Sequence, residues 1–161
     1  KKNFHVLLPL IKKNTMELLI AGKYDDADYL SFIQKQSKNL GVEDNVHLLG
    51  SVSEHEKSWY FNNCRAFALP SISEGFGLPV VEAMSCGKPL FLSDKTALPE
   101  IGGDISFYFN DFNSEHMQKV FNIGMEKYNA NGFQEKIKER GLSFNWHKSA
   151  KQYLEVYRSL Y

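Results

Sequence analysis

The sequence predicts an α/β fold, a Rossmann-like, doubly wound parallel sheet with helices on both faces and a helical C-terminal tail. Three observations predict it. Short apolar runs alternate with stretches of helical period along most of the 161 residues. Those runs are apolar throughout instead of alternating with polar residues, the pattern of strands buried on both faces. Right-handed crossovers between parallel neighbours then place helices on each side.

The elements follow in order. Residues 4–13 carry apolar residues at helical spacing, and 17–22 form a short apolar run stopped by Gly22. A helix is predicted over 25–40, ended by Gly41 as a left-handed stop. The next strand is 46–50. The helix within 51–63 opens at Ser53, with Glu56 three residues on in capping-box spacing. Residues 65–70 read as a buried strand ending at Pro70. The helix over 78–86 has Pro79 in its first turn and Gly87 just past its end. A strand at 89–93, a short segment at 98–101 and a last strand at 105–109 follow. From Asn113 onward the chain reads as three helices, broken near 129–132 and 141–145.

Composition narrows the function. Lys plus Arg and Asp plus Glu are 19 each, so no overall field draws the chain to nucleic acid or an acidic membrane. Anion binding must come from local arrangement. Cys64 and Cys86 are too far apart for a Cys-x-x-Cys motif and read as reduced, buried thiols, which favours a cytoplasmic setting. No apolar run approaches the roughly 18 residues of a membrane span. With no start methionine, the chain reads as one domain, residues 1–161, cut from a longer protein.

Open parallel sheets bind ligands beyond the carboxyl ends of their strands. The loops at Gly22, Gly50, 70–77 and Ser93 should therefore line a site. The informative stretch is Glu74-Gly-Phe-Gly-Leu-Pro-Val-Val-Glu82. Gly75 and Gly77 let backbone N–H groups approach a ligand closely, and the amino end of the following helix favours a phosphate. Side chains on helices lean toward the N-terminus, so Glu82, one turn in, can return toward Glu74. Carboxylates accept hydrogen bonds from neighbouring hydroxyls, and a phosphate between two sets of sugar hydroxyls describes a nucleoside diphosphate sugar. The other reading is a solvated Glu74 and a Glu82 that merely suits a helix's first turn.

This segment resembles the E-x7-E motif of the retaining glycosyltransferases of family 4, which have the two-domain GT-B fold. The likeness runs along nearly the whole chain. Lys2-Asn3 resembles the start of the family's first helix, Leu19-Ile-Ala-Gly22 its next strand, and Val46 to Val52 a further conserved-type segment. Ala68-Leu-Pro-Ser71 precedes the motif, Leu98-Pro-Glu-Ile101 follows it, and Phe144-Asn-Trp146 is similar to the opening of the family's final helix.

The resemblance implies the donor-binding half of an enzyme. That enzyme moves a hexose from a nucleoside diphosphate sugar to a saccharide or lipid-linked acceptor with retention, in polysaccharide biosynthesis. Glu74 would hold hydroxyls of the transferred sugar, and the backbone of Gly75, Phe76, Gly77 and Leu78 would meet sugar and phosphates. Glu82 would hold the ribose diol, Val52 the base, and Lys2 the departing diphosphate. An arginine normally precedes that lysine, and neither it nor the acceptor domain lies in this sequence, so the fragment alone is expected to be inactive. Expected partners are the nucleotide sugar and, through the N-terminal domain, the acceptor, with peripheral membrane association of the whole enzyme and no nucleic acid. No cofactor or metal is expected. The competing function is a GT-B nucleotide-sugar-binding module or epimerase-like domain without transfer.

Weaker signals have plainer readings. Asp26-Ala-Asp28 matches a metal-binding Asp-x-Asp only superficially, since Asp25 and Asp26 sit where acidic residues favour a helix start. The five histidines show no ligand spacing. Gly75-Phe-Gly77 lacks the third glycine of a dinucleotide fingerprint. Tyr153, Tyr157 and Tyr161 recur every four residues and read as core packing. The resemblance also suggests that this last helix crosses toward the missing domain, which would leave apolar surface exposed.

Overall fold

The computed structural model describes residues 1–23, 26–130 and 132–160. A 3-10 turn at Phe4–Leu7 runs into α1 (Leu8–Asn14), β1 (Leu18–Ala21) and α2 (Ala27–Leu40). Then come β2 (Val46–Gly50), α3 (Glu54–Asn63), β3 (Phe67–Leu69) and α4 (Leu78–Ser85). β4 (Leu90–Ser93), α5 (Leu98–Gly102) and β5 (Phe107–Phe109) complete the α/β part, and α6 (Ser114–Tyr128), α7 (Phe133–Leu142) and α8 (Trp146–Ser159) form the tail.

Local chemistry sets most boundaries. Asp26 caps α2 by accepting from the Tyr29 N–H at 2.9 Å, which is the helix-start reading of the Asp-x-Asp segment; Asp25 lies outside the described residues. Gly41, at φ 66°, ends the same helix in the left-handed conformation that only glycine adopts without strain. Ser53 and Glu56 form the reciprocal capping box at the start of α3. Ile105 falls in a 3-10 turn, Gly103–Ile105, so β5 begins two residues later than the apolar run suggests.

All strand pairings are parallel, as the apolar runs predict. The hydrogen bonding divides them into two ladders, β1–β2 and β3–β4–β5, where one sheet was expected. Side chains, not backbone, join the two: Leu18 of β1 packs in one cluster with Ala66 and Ala68 at β3. In the first ladder Leu18 faces Val46, and the register shifts after Ile20 so that Ala21 faces Gly50. The Gly22 N–H then donates to the Gly50 carbonyl at 2.8 Å, tying the two loop starts together.

The three-stranded ladder is covered on both faces. Leu90 and Leu92 of β4 pack into a cluster with Val80, Ala83 and Met84 of α4, Leu98 and Ile101 of α5 and Ile137 of α7. Phe91, between them, points the other way into a cluster with Leu10 of α1 and Met117 and Phe121 of α6. This period-two division is why Leu90, Phe91 and Leu92 are all apolar; the last residue of β4, Ser93, is buried as well but gives its hydroxyl to the Ser71 carbonyl. Each large side chain of β4 is fully buried, worth roughly 1.5–3 kcal/mol apiece against exposure. Phe91 packs against Phe107, Phe109 and Phe121 at ring-centroid distances of 5.3, 6.0 and 4.9 Å. A glycine inside α6, Gly124, makes that possible: a Cβ there would come within 2.5 Å of the Phe91 ring.

Two side-chain readings are corrected. Cys64 and Cys86 are free thiols but half-buried, not buried, because they cap the carboxyl ends of α3 and α4 at the rim of the core. Burial still pushes the Cys64 thiol up, against the Lys88 ammonium, which lowers it. The tyrosines of α8 do not pack in the core: Tyr153 is 66% and Tyr157 58% exposed. No residue of α8 is buried, and Trp146, Leu154 and Leu160 lie exposed with them, because no other described element covers that face. Tyr161 lies outside the described residues.

Candidate functional site

Where β3 ends, residues 70–77 turn into α4, and the turn is built for close approach. Gly77 is the N-cap of α4 at φ 97°, a conformation costly to any other residue. It is also packed, since a Cβ there would lie 3.1 Å from Leu98 Cδ2. Gly75 faces open space, with nothing within 4 Å of the position its Cβ would take. No side chain caps α4, and the amides of residues 75–78 take part in none of the turn or loop backbone bonds. Together with the helix dipole, these amides make the loop an anion cradle. Phe76 and Leu78 flank it, 43% and 54% exposed.

The start of the chain is sewn to this loop. The Ile72 N–H donates to the Lys1 carbonyl at 3.0 Å, and Asn3, at φ 61°, turns the backbone into the first 3-10 turn. Lys2 is thereby brought to Glu74, its Nζ 2.7 Å from Oε1, across 72 residues of sequence. Burial by itself would raise the Glu74 carboxyl, but the Lys2 ammonium and the Ser71 hydroxyl outweigh it and hold the group below its ordinary value. Behind the loop, the Ser93 hydroxyl donates to the Ser71 carbonyl, and the Glu74 N–H donates to Thr96 Oγ1 at 2.9 Å.

Glu82 stands in the second turn of α4 with a partner of its own. Lys57 Nζ lies 2.8 Å from Glu82 Oε1 and 2.8 Å from Glu54 Oε2. Both acids favour the charged lysine and raise its pKa, Glu54 first. Sequence reasoning missed Lys57. It is the fourth residue of α3, and only the packing of α3 beside α4 turns that position toward Glu82. Val52 sits between β2 and the Ser53 cap of α3 and is partly buried, and no hydrogen bond ties it to residues 74–82.

The arrangement is thus a glycine loop and a free helix start, flanked by two carboxylates, each held by an ammonium. It can bind a phosphate at the loop while offering carboxylate oxygens to hydroxyls on either side. A shallow concavity of about 390 Å³ between α2 and β2, lined by Ile33, Ser37, Val46 and Leu48, contains none of these residues. Among the described residues no three His, Cys, Asp or Glu side chains gather as a metal site, and no helix is long and apolar enough to cross a membrane.

Such a cradle on a parallel α/β frame has the shape and the hydrogen-bonding groups for a phosphorylated, hydroxyl-rich ligand. The chain belongs to the family described as Glycosyl transferases group 1, whose pattern it matches over residues 1–142. It is 28% identical over 164 residues to the O-antigen chain mannosyltransferase B of Escherichia coli, covering 96% of this chain and 40% of that protein. It is 30% identical over 103 residues to the O-antigen chain mannosyltransferase RfbU of Salmonella typhimurium, covering 64% of this chain and 28% of that protein. The chain therefore spans well under half the length of these relatives. Among solved structures, Anabaena Alr3699/HepE, determined with UDP and glucose, superposes with a TM-score of 0.85 at 23% identity, covering 98% of this chain and 45% of the other. A sucrose-phosphate synthase from Thermosynechococcus elongatus gives 0.84 at 21%, covering 99% and 42%. The fold is that of one half of the GT-B glycosyltransferases.

Proposed function

We propose that this chain is the donor-binding half of a retaining glycosyltransferase that moves a hexose from a nucleoside diphosphate sugar to a saccharide or lipid-linked acceptor. The observation that carries the reading is the meeting of Lys2 and Glu74 at the glycine loop, with Glu82 on the helix that the loop opens. Lys2 and the amino end of α4 meet the charge that develops on the leaving diphosphate, without a metal. Electrostatic stabilisation of this kind is commonly the largest single catalytic contribution. Glu74 holds hexose hydroxyls, Glu82 the ribose diol, and the turn at Gly50 and Val52 faces the base. The acceptor is held by the remainder of the polypeptide. Family membership favours transfer over a pure binding module.

The names of the mannosyltransferase relatives support mannose as the hexose and cell-surface polysaccharide synthesis as the setting. Two free thiols support a cytoplasmic location.

An amide-resolved NMR titration with UDP, GDP, ADP and NAD tests the reading. Shifts centred on residues 75–78 with one nucleoside diphosphate are expected, and the responding nucleotide identifies the base. Glu74→Ala should then weaken the nucleotide sugar while leaving the diphosphate nearly unchanged. Equal losses for both would remove Glu74 from the hexose, and a response centred on the α2–β2 concavity would overturn the site.

A further inference from the structure

Thr96 occupies a conformation that its side chain resists. Its φ is 51°, in the left-handed region, where a β-branched residue is an outlier and where the other positive-φ turns of the chain are mostly glycines. The turn itself does not need a threonine. Leu98 N–H bonds to the Lys95 carbonyl at 3.2 Å and closes it through backbone atoms alone. The Thr96 side chain is exposed, so burial of its methyl group does not compensate the strain. What the residue gains is one contact: its Oγ1 accepts the Glu74 N–H at 2.9 Å, across 22 residues.

That contact has a place in a larger stitch. β3 and β4 are hydrogen-bonded parallel neighbours, Leu69 facing Leu92, so their two following loops leave the ladder side by side. Ser93 ties the first loop at the Ser71 carbonyl, Thr96 ties it at Glu74, and Leu98 abuts Gly77. Ser93 is fully buried and Leu98 belongs to the core, so both have reasons to be there that are independent of any ligand. Thr96 has none. Left-handed strain by itself is not a mark of function, since Thr15 has φ 50° and simply closes α1 through its backbone N–H. What sets Thr96 apart is that its side chain reaches a loop 22 residues away, and strained residues that do so gather at ligand sites.

We propose that Thr96 is a positioning residue of the donor site: held in the left-handed conformation, it sets its hydroxyl under the Glu74 amide and so aims the Glu74 carboxylate at the hexose of the bound donor. It touches no reacting atom and acts only through Glu74, and the inference rests on the hexose role proposed for Glu74. In the resting site the Thr96 bond fixes the backbone of Glu74 and Lys2 the far end of its side chain; once Lys2 turns to the diphosphate, the Thr96 bond is the one of the two that remains to aim the carboxylate.

The test uses three variants of the 161-residue chain. Thr96→Ser keeps the hydroxyl without β-branching, Thr96→Val keeps the shape without the hydroxyl, and Thr96→Gly relieves the strain and removes the hydroxyl. Amide exchange at Glu74 is read first, without ligand. It should stay as slow as wild type in Thr96→Ser and quicken several-fold in the other two. Affinity is then compared between UDP-glucose and UDP, and between GDP-mannose and GDP. The extra affinity that the hexose adds should fall about tenfold in Thr96→Val and Thr96→Gly, the worth of roughly one hydrogen bond, and be kept in Thr96→Ser. Thr96→Gly should meanwhile hold or raise its Tm, by about 3 °C, so that stability and hexose recognition move in opposite directions. Unchanged Glu74 exchange in Thr96→Val would overturn the proposal whatever the ligand does. Quickened exchange with the hexose increment intact would confine Thr96 to the loop and overturn its part in recognition. No hexose increment in wild type would remove the hexose role of Glu74, and this inference with it.

Discussion

Replacing each loop glycine by alanine separates what the fold needs from what a ligand needs. At Gly77, alanine must adopt φ 97° and place its Cβ 3.1 Å from Leu98 Cδ2, a core side chain. The left-handed conformation alone costs roughly 1–2 kcal/mol, and the contact adds to it. For a chain of this size that lowers Tm by about 2–8 °C. At Gly75 the backbone is ordinary and the space around the new Cβ is empty. There the substitution stiffens the unfolded chain and should gain about 0.4–1 kcal/mol, raising Tm by about 1–4 °C. Binding sorts the two differently. If the amides of residues 75–78 receive the diphosphate, a methyl group at Gly75 stands in the path of the phosphate, and Gly75→Ala should lose diphosphate affinity about tenfold or more despite its higher Tm. Thermal melts and a calorimetric titration with UDP and GDP measure both. A Gly75→Ala variant as unstable as Gly77→Ala would contradict the open loop. One that is stable and binds like wild type would take the phosphate away from these amides.

Three further outcomes are expected. Lys57→Met should cost less than about 1 kcal/mol in stability, since the pair with Glu82 is about one-third exposed. It should weaken UDP or GDP a few-fold while leaving inorganic pyrophosphate unchanged; an equal loss for pyrophosphate would assign Lys57 to the phosphates instead. Because the folded Glu74 pKa lies below its ordinary value of about 4.5, its pairing stabilises the fold above that pH and is lost as pH falls through the lowered value. The Tm gap between wild type and Glu74→Gln should therefore be widest near neutrality and close in acid, and a gap independent of pH would refute the linkage. Gly124→Ala drives a methyl group to within 2.5 Å of Phe91 and 2.7 Å of Phe107. Overpacking at the upper end of about 3 kcal/mol, less about 1 kcal/mol of helix propensity, leaves a net loss near 2 kcal/mol and a Tm lower by about 4–8 °C. A melt at or above the wild-type temperature would show that the aromatic cluster yields.

What was legible in the sequence was what neighbouring residues decide among themselves. The capping box of Ser53 and Glu56, the stop at Gly41 and the apolar runs of β1 to β5 act within a few residues, so their patterns survive without a fold. Lys2 and Glu74, 72 residues apart, could be joined beforehand only through the family resemblance. Lys57 with Glu82 and Thr96 with Glu74 could not be joined at all. A half-buried lysine on a helix and a threonine in a turn carry no mark of their partners until the elements are packed. The tyrosines of α8 failed for a related reason. A four-residue period reports that one face of a helix is apolar, and is silent on whether anything in the same chain covers it.

The pairing of each site carboxylate with an ammonium has a kinetic consequence. Lys2 and Lys57 answer three carboxylates, Glu74, Glu82 and Glu54, so these paired groups carry no excess of positive charge. Within a chain whose formal net charge is zero, an approaching dianion therefore feels little attraction from afar. On the proposed reading its arrival is an exchange of counter-ions, in which Lys2 turns from one carboxylate to a diphosphate and a sugar hydroxyl takes the vacated oxygen. No bulk salt ion need be expelled. Added salt should therefore slow the encounter only slightly, where a site of bare lysines would lose its ligand as ionic strength rises.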